Sequence, residues 1–160
     1  REQIPFAMEV TQRTEADRPR QRVGERAADG APHGRRQRHL ARRHGVHATT
    51  AVNRPVVDAD EAAEVMTRLR SKAPTKLCGF DITMTDLAAV QPYQRRTDAV
   101  ILEGVDTDTA VRVAVRPSGT EPKVKSYIEV RRNCVDGDLD EARADARRIQ
   151  EELVGIAGKW

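Results

Sequence analysis

From residue 40 onward the apolar positions fall into two rhythms, and before it neither is sustained. The stretch VHATTAV, residues 46–52, is β-branched and alternates, the pattern of a half-buried strand. Asp58 then offers a helix cap with Glu61 three places on, and Ala62, Val65, Met66 and Leu69 share one face of the helix it starts. Phe80, Ile82 and Met84 fall on one side of a further strand, and DAVILEG, residues 98–104, is a short apolar run ahead of the turn-like VDTD. Val111, Val113 and Val115 alternate into a second turn, and Val124, Ser126, Ile128 and Val130 alternate out of it. Last, Asp138 caps a helix with Glu141 at its third position, and Ala142, Ala146, Ile149, Leu153 and Ile156 recur at steps of four and three. This order predicts an α+β domain, an antiparallel sheet of about four to five strands with two helices on one face. No internal repeat is present.

The first quarter of the chain has a different texture. Residues 11–39 hold no Leu, Trp, Tyr or Cys and show no apolar period, so they bury too little surface to offset the entropy of ordering them. The expectation is a disordered arm over residues 1–39 and a folded domain over 40–160. At 160 residues, one modest core is what the length supports. The net charge is +3, and the excess sits in the arm, where nine Arg face six acids. Cys78 and Cys134 stand far apart with no CxxC or Cys/His spacing, which fits neither a disulfide framework nor a zinc site. With no run of about 18 apolar residues and no secretory pattern, the protein reads as cytoplasmic, with no membrane partner.

The turn between the last two strands carries the chemistry. Arg116 ends one strand, Ser118, Gly119 and Thr120 supply two hydroxyls and unshielded backbone N–H groups, and Lys125 leaves on the opposite strand. A guanidinium fork meets two phosphate oxygens at once, and successive amides in a tight turn form a nest for an anion. Pro117 and Pro122 limit the freedom of the turn before any ligand arrives. Ser, Gly, Thr and Pro also suit any exposed hairpin turn, so residue types alone leave both readings open.

The segment VRPSGTEPKVKSYIEV, residues 115–130, resembles the signature loop of the C-terminal domain of the α-D-phosphohexomutases, the phosphoglucomutase and phosphomannomutase family. The resemblance runs from about Leu40 to the end and implies the fold of that family's fourth domain, similar to half of a TATA-binding protein. In such enzymes a phosphoserine donates its phosphoryl group to a hexose monophosphate, the bisphosphate reorients, and the opposite phosphate returns to the serine. The fourth domain grips the phosphate that is not being transferred. The resemblance places Arg116, Ser118, the backbone of Gly119 and Thr120 as phosphate ligands, and Lys125 as a further basic contact. For the complete enzyme it implies magnesium and a hexose bisphosphate.

The family's other loops are missing here: no Ser-His-Asn nucleophile loop, no Asp-Gly-Asp-Gly-Asp-Arg metal loop and no Gly-Glu-x-Ser-Gly sugar loop occurs. The expectation is therefore a domain with no catalytic residue, no metal site and no cofactor of its own, inactive alone, that binds a hexose phosphate weakly and pairs with the missing mutase domains. Asp136, Asp138 and Asp140 alternate as a hard oxygen site would, yet Asp138 is better explained as a helix cap. His33, His39, His44 and His47 lack the i, i+4 spacing of metal ligands. The tract HGRRQRHLARRHG supports an alternative, a non-enzymatic module whose basic arm contacts nucleic acid. Only five aromatic residues in the chain argue against a stacking platform, so nucleic acid is the weaker partner. Residues 1–39 also contain no Lys and have the composition of a GC-rich gene read out of frame, the mark expected of a frameshifted or truncated mutase gene.

Overall fold

A computed structural model of the chain describes residues 32–89, 96–134 and 138–160, with side chains from residue 38. The elements run α1 (Pro32–His44), β1 (Val46–Pro55), α2 (Ala59–Ser71), β2 (Lys76–Leu77), β3 (Phe80–Asp86), β4 (Val100–Val105), β5 (Thr109–Pro117), β6 (Lys123–Arg132) and α3 (Leu139–Ala157). The strands form one antiparallel sheet in the order β1-β6-β5-β4-β3-β2. The α+β antiparallel reading holds, but among the described residues the sheet has six strands rather than four or five and there are three helices rather than two. Strand β2 is two residues long, too short for any alternation to show. Helix α1 carries almost no apolar residues for a stripe to be read from, and it begins inside the segment expected to be unstructured. The rest of that segment, residues 1–31, lies outside the described residues.

Local signals explain the main elements. The Asp58 carboxylate accepts the Glu61 N–H at 2.9 Å, which satisfies one orphan donor of the α2 N-terminus, while the Glu61 carboxylate reaches back to the Val57 N–H, just ahead of the cap, at 2.7 Å. The Val57 amide, and then Arg54, hold the Glu61 carboxyl below its ordinary range. Helix α3 starts in the same way, with the Asp138 carboxylate accepting the Asp140 N–H. Cys78 and Gly79 both have positive φ and join β2 to β3, as the mirror-image two-residue hairpin turns demand.

The core lies between one sheet face and two helices. Val111, Val113 and Val115 of β5 and Val124, Ile128 and Val130 of β6 point to this face, against Val65, Met66 and Leu69 of α2 and Ala146, Ile149 and Leu153 of α3. The other face carries no helix from α2 or α3, and there the side chains alternate out to solvent.

Gly104 of β4 lies close against β3. A Cβ added there would lie 2.8 Å from the Phe80 Cβ, 2.9 Å from the Ile82 Cδ1 and 3.0 Å from the Asp81 carbonyl oxygen, all on β3. Gly104→Val is expected to lower stability by roughly 1–3 kcal/mol, because two ladder strands cannot move apart without losing their hydrogen bonds. The shift of the urea midpoint at constant slope is the measurement, and an unchanged midpoint contradicts the packing described.

Candidate functional site

Strands β5 and β6 pair with Arg116 opposite Lys125 and Ala114 opposite Tyr127. Since Val115 and Ser126 are buried against the helices, the period of two sends Arg116, Lys125 and Tyr127 to the uncovered face. Asn53 of β1 continues the row beyond Lys125. Two cations thus stand directly across a strand pair, an arrangement that is destabilising unless something negative lies between them. Among the described residues neither Arg116 nor Lys125 makes an ion pair. The Arg116 Nη2 donates instead to the Tyr127 hydroxyl at 3.1 Å, with the guanidinium carbon 5.6 Å from the ring centroid.

The turn above this pair is held by its backbone. The Ser118 N–H donates to the Lys123 carbonyl at 2.9 Å, the Lys123 N–H to the Glu121 carbonyl at 2.8 Å, and the Val56 N–H to the Pro122 carbonyl at 3.0 Å, which ties the turn to the end of β1. Lys123 also pairs with the Glu121 carboxylate and holds its carboxyl below the usual range, with a further through-space pull from Lys125. Glu121 is therefore engaged by its own strand and leaves the Arg116 guanidinium unneutralised. The Ser118 Oγ is buried and without a hydrogen-bond partner, and the N–H groups of Gly119 and Thr120 enter no backbone hydrogen bond among the described residues. A buried hydroxyl left unpaired is costly, and its natural completion is a ligand atom. Gly119 is not required by the backbone, for its φ is outside the positive range and a Cβ on it would meet nothing within 4 Å. No unusual dihedral calls for this glycine, and what remains is that a bare Cα lets a ligand approach the amides.

The structure brings Arg116, Ser118, Gly119, Thr120 and Lys125 onto one hairpin end. Tyr127 was missed by sequence reasoning. The signal was available, since Tyr127 follows Lys125 by two and so must share its face.

A groove of about 720 Å³ lies elsewhere on the same face, over its middle rows. Within it Arg112 Nε stands 3.3 Å from Glu103 and His47 Nδ1 stands 3.0 Å from Glu129, and Arg131 also lines it. At the hairpin end Arg116 and Lys125 make no ion pair among the described residues, and on charge that end is the better anion site. Other candidates dissolve into local roles. The Asp138 carboxylate caps α3, Asp140 pairs with Arg143, and Asp136 lies outside the described residues. Among the described residues no group of three or more His, Cys, Asp and Glu is gathered for a metal ion, so no step is derived through magnesium. Burial, with Glu152 beside it, pushes the Cys78 thiol up to about 11, so it is no thiolate at neutral pH. No described helix is long and apolar enough to cross a membrane.

Residues 80–146 match the family model described as phosphoglucomutase/phosphomannomutase, C-terminal domain. The chain is 28% identical over 87 residues to a probable phosphomannomutase of Haemophilus influenzae, covering 54% of this chain and 17% of that protein. It is 31% identical over 74 residues to a phosphoglucomutase of Staphylococcus epidermidis, covering 41% of this chain and 14% of that one. The chain thus spans about a sixth of the length of these relatives. Neither match lends support to a nucleic-acid-contacting arm.

Proposed function

We propose, from the match of residues 80–146 to the phosphoglucomutase/phosphomannomutase C-terminal domain model, that the β5–β6 turn grips the phosphate of a hexose phosphate, as part of a substrate-binding domain of a sugar phosphomutase. The observation that carries this reading is the pair of cations, Arg116 and Lys125, set opposite each other in register, neither of them in an ion pair among the described residues. A phosphate placed there takes the Arg116 fork on two oxygens and the Lys125 ammonium on a third side. The unpaired Ser118 Oγ, the Thr120 hydroxyl and the Gly119 and Thr120 amides lie at the same hairpin end to complete its hydrogen bonds. The domain's share of catalysis is positional: fixing one phosphate of the sugar presents the other end for transfer, which removes much of the entropic cost of a bimolecular step. Phosphoryl donation and magnesium belong to loops whose sequences do not occur in this chain. The same reading extends to architecture, where an antiparallel sheet under α2 and α3 supports a likeness to half of a TATA-binding protein.

Titration of the 160-residue chain with phosphate, followed by amide chemical shifts, is the test. Shifts are expected to cluster in residues 116–125 with a dissociation constant of about 1 mM, about 4 kcal/mol of binding, since water still hydrates the exposed side of the anion. If residues 116–125 stay still while the basic helix α1 responds, the turn is only a hairpin and the reading fails. Gly119→Ala separates fold from binding. Its Cβ has open space, so the melting temperature is expected to stay within the error of the wild type, while phosphate affinity falls by about tenfold as the methyl group shields the amides. Unchanged affinity would remove the backbone from the ligand set.

A further inference from the structure

Resting on the phosphate reading, we propose that Tyr127 is a positioning residue that holds Arg116 ready for the anion. Two cations facing each other tend to splay, and a long Arg side chain has many rotamers to lose when it closes on a ligand. Tyr127 removes both problems at once. Its hydroxyl accepts from Arg116 Nη2 at 3.1 Å, and its ring lies 5.6 Å beneath the guanidinium carbon, within cation–π range.

The surroundings of the ring make this its evident task. Tyr127 is 41% exposed on the face turned away from α2 and α3, so it contributes little to the core. Its direct neighbours across both flanking strands are alanines, Ala51 on β1 and Ala114 on β5, whose small side chains leave room for a guanidinium to lie over the ring. Arg116 sits on the diagonal, one row toward the turn, at the separation long side chains bridge across a sheet. Further along the face Arg112 and His47 are engaged by Glu103 and Glu129, and among the described residues Tyr127 spends its polar contact on Arg116. The contact orients the guanidinium without neutralising it, because a phenol is an acceptor that carries no charge. The full attraction for an anion is kept.

Inorganic phosphate is titrated into the full chain and into Tyr127→Phe and Tyr127→Leu, following backbone amides and the Arg116 Nε–Hε signal. Phenylalanine keeps the ring and loses the acceptor, and the affinity is expected to fall about threefold. Leucine loses both, and about tenfold is expected. In the ligand-free variants the Arg116 side-chain signal is expected to move while the amides of residues 117–123 remain in place. Phosphate bound as tightly as, or tighter than, by the wild type in both variants overturns the proposal, since it would mean that Tyr127 stores Arg116 away from the anion or ignores it. Amides of residues 117–123 displaced as far as the Arg116 signal also overturn it, because Tyr127 would then act on the turn's fold. A wild type whose residues 116–125 ignore phosphate is a different result, and sinks the binding reading itself.

Discussion

Met66→Ala is expected to lower the unfolding free energy by about 2–5 kcal/mol, the range seen when a buried Met, Leu or Ile is cut back to Ala. Met66 is fully buried on α2, in the middle of the cluster where that helix meets β4, β5 and β6. The lost methylenes and sulfur leave a cavity that the sheet is too stiff to fill, for the β5 and β6 ladders fix the floor and Val65 and Leu69 fix the helix on either side. Against the roughly 5–15 kcal/mol typical of small domains, such a loss is a large part of the whole. Met66→Leu, which nearly conserves volume, is expected to cost less than about 1.5 kcal/mol. Urea unfolding of both variants supplies the comparison. Equal effects of Ala and Leu would place Met66 in a loose site and contradict the packing.

Arg116→Lys is expected to weaken phosphate binding nearly as much as Arg116→Ala, each by about tenfold or more, given roughly 1.5–3 kcal/mol for hydrogen bonds to charged groups. Lysine keeps the positive charge, so a reading based on charge alone has it bind nearly as well as the wild type. The geometry says otherwise. An ammonium cannot grip two oxygens in one plane, and it lies poorly on the Tyr127 ring, where the flat guanidinium now rests 5.6 Å from the centroid. The substitution also replaces the fork by a second flexible ammonium directly across the ladder from Lys125. Arg116 is exposed, so neither variant is expected to shift the melting temperature by more than about a degree or two. Phosphate titrations at one ionic strength decide the matter, because screening would otherwise blur the difference. Lysine binding within a factor of about two of the wild type would show that simple charge holds the anion.

The candidate site was legible in the chain to an uneven degree. Arg116, Ser118, Gly119, Thr120 and Lys125 stand close together in one turn between two alternating runs, so their gathering is a local fact that a two-residue period conveys. Tyr127 carried the same period but belonged to no motif, and its meaning appears only when Arg116 is seen lying on it. Gly119 was legible as a residue that leaves its amides unshielded, and the structure adds that its backbone needs no positive φ.

Secondary structure and the burial of its faces were determined by the sequence itself, because they follow from short-range periods: the Asp58 and Asp138 caps, the α2 and α3 stripes, and the alternation of β5 and β6. What the tertiary structure decided is everything that depends on which distant segments meet. Strand β1 closes on β6 across more than seventy residues, pairing Asn53 with Lys125, and no local pattern encodes that register. Strand β2 owes its place to β3 rather than to an alternation of its own. The facing of Arg116 and Lys125 across the ladder is likewise a property of the assembled sheet, since charge in a sequence acquires a partner or lacks one only when the chain has folded.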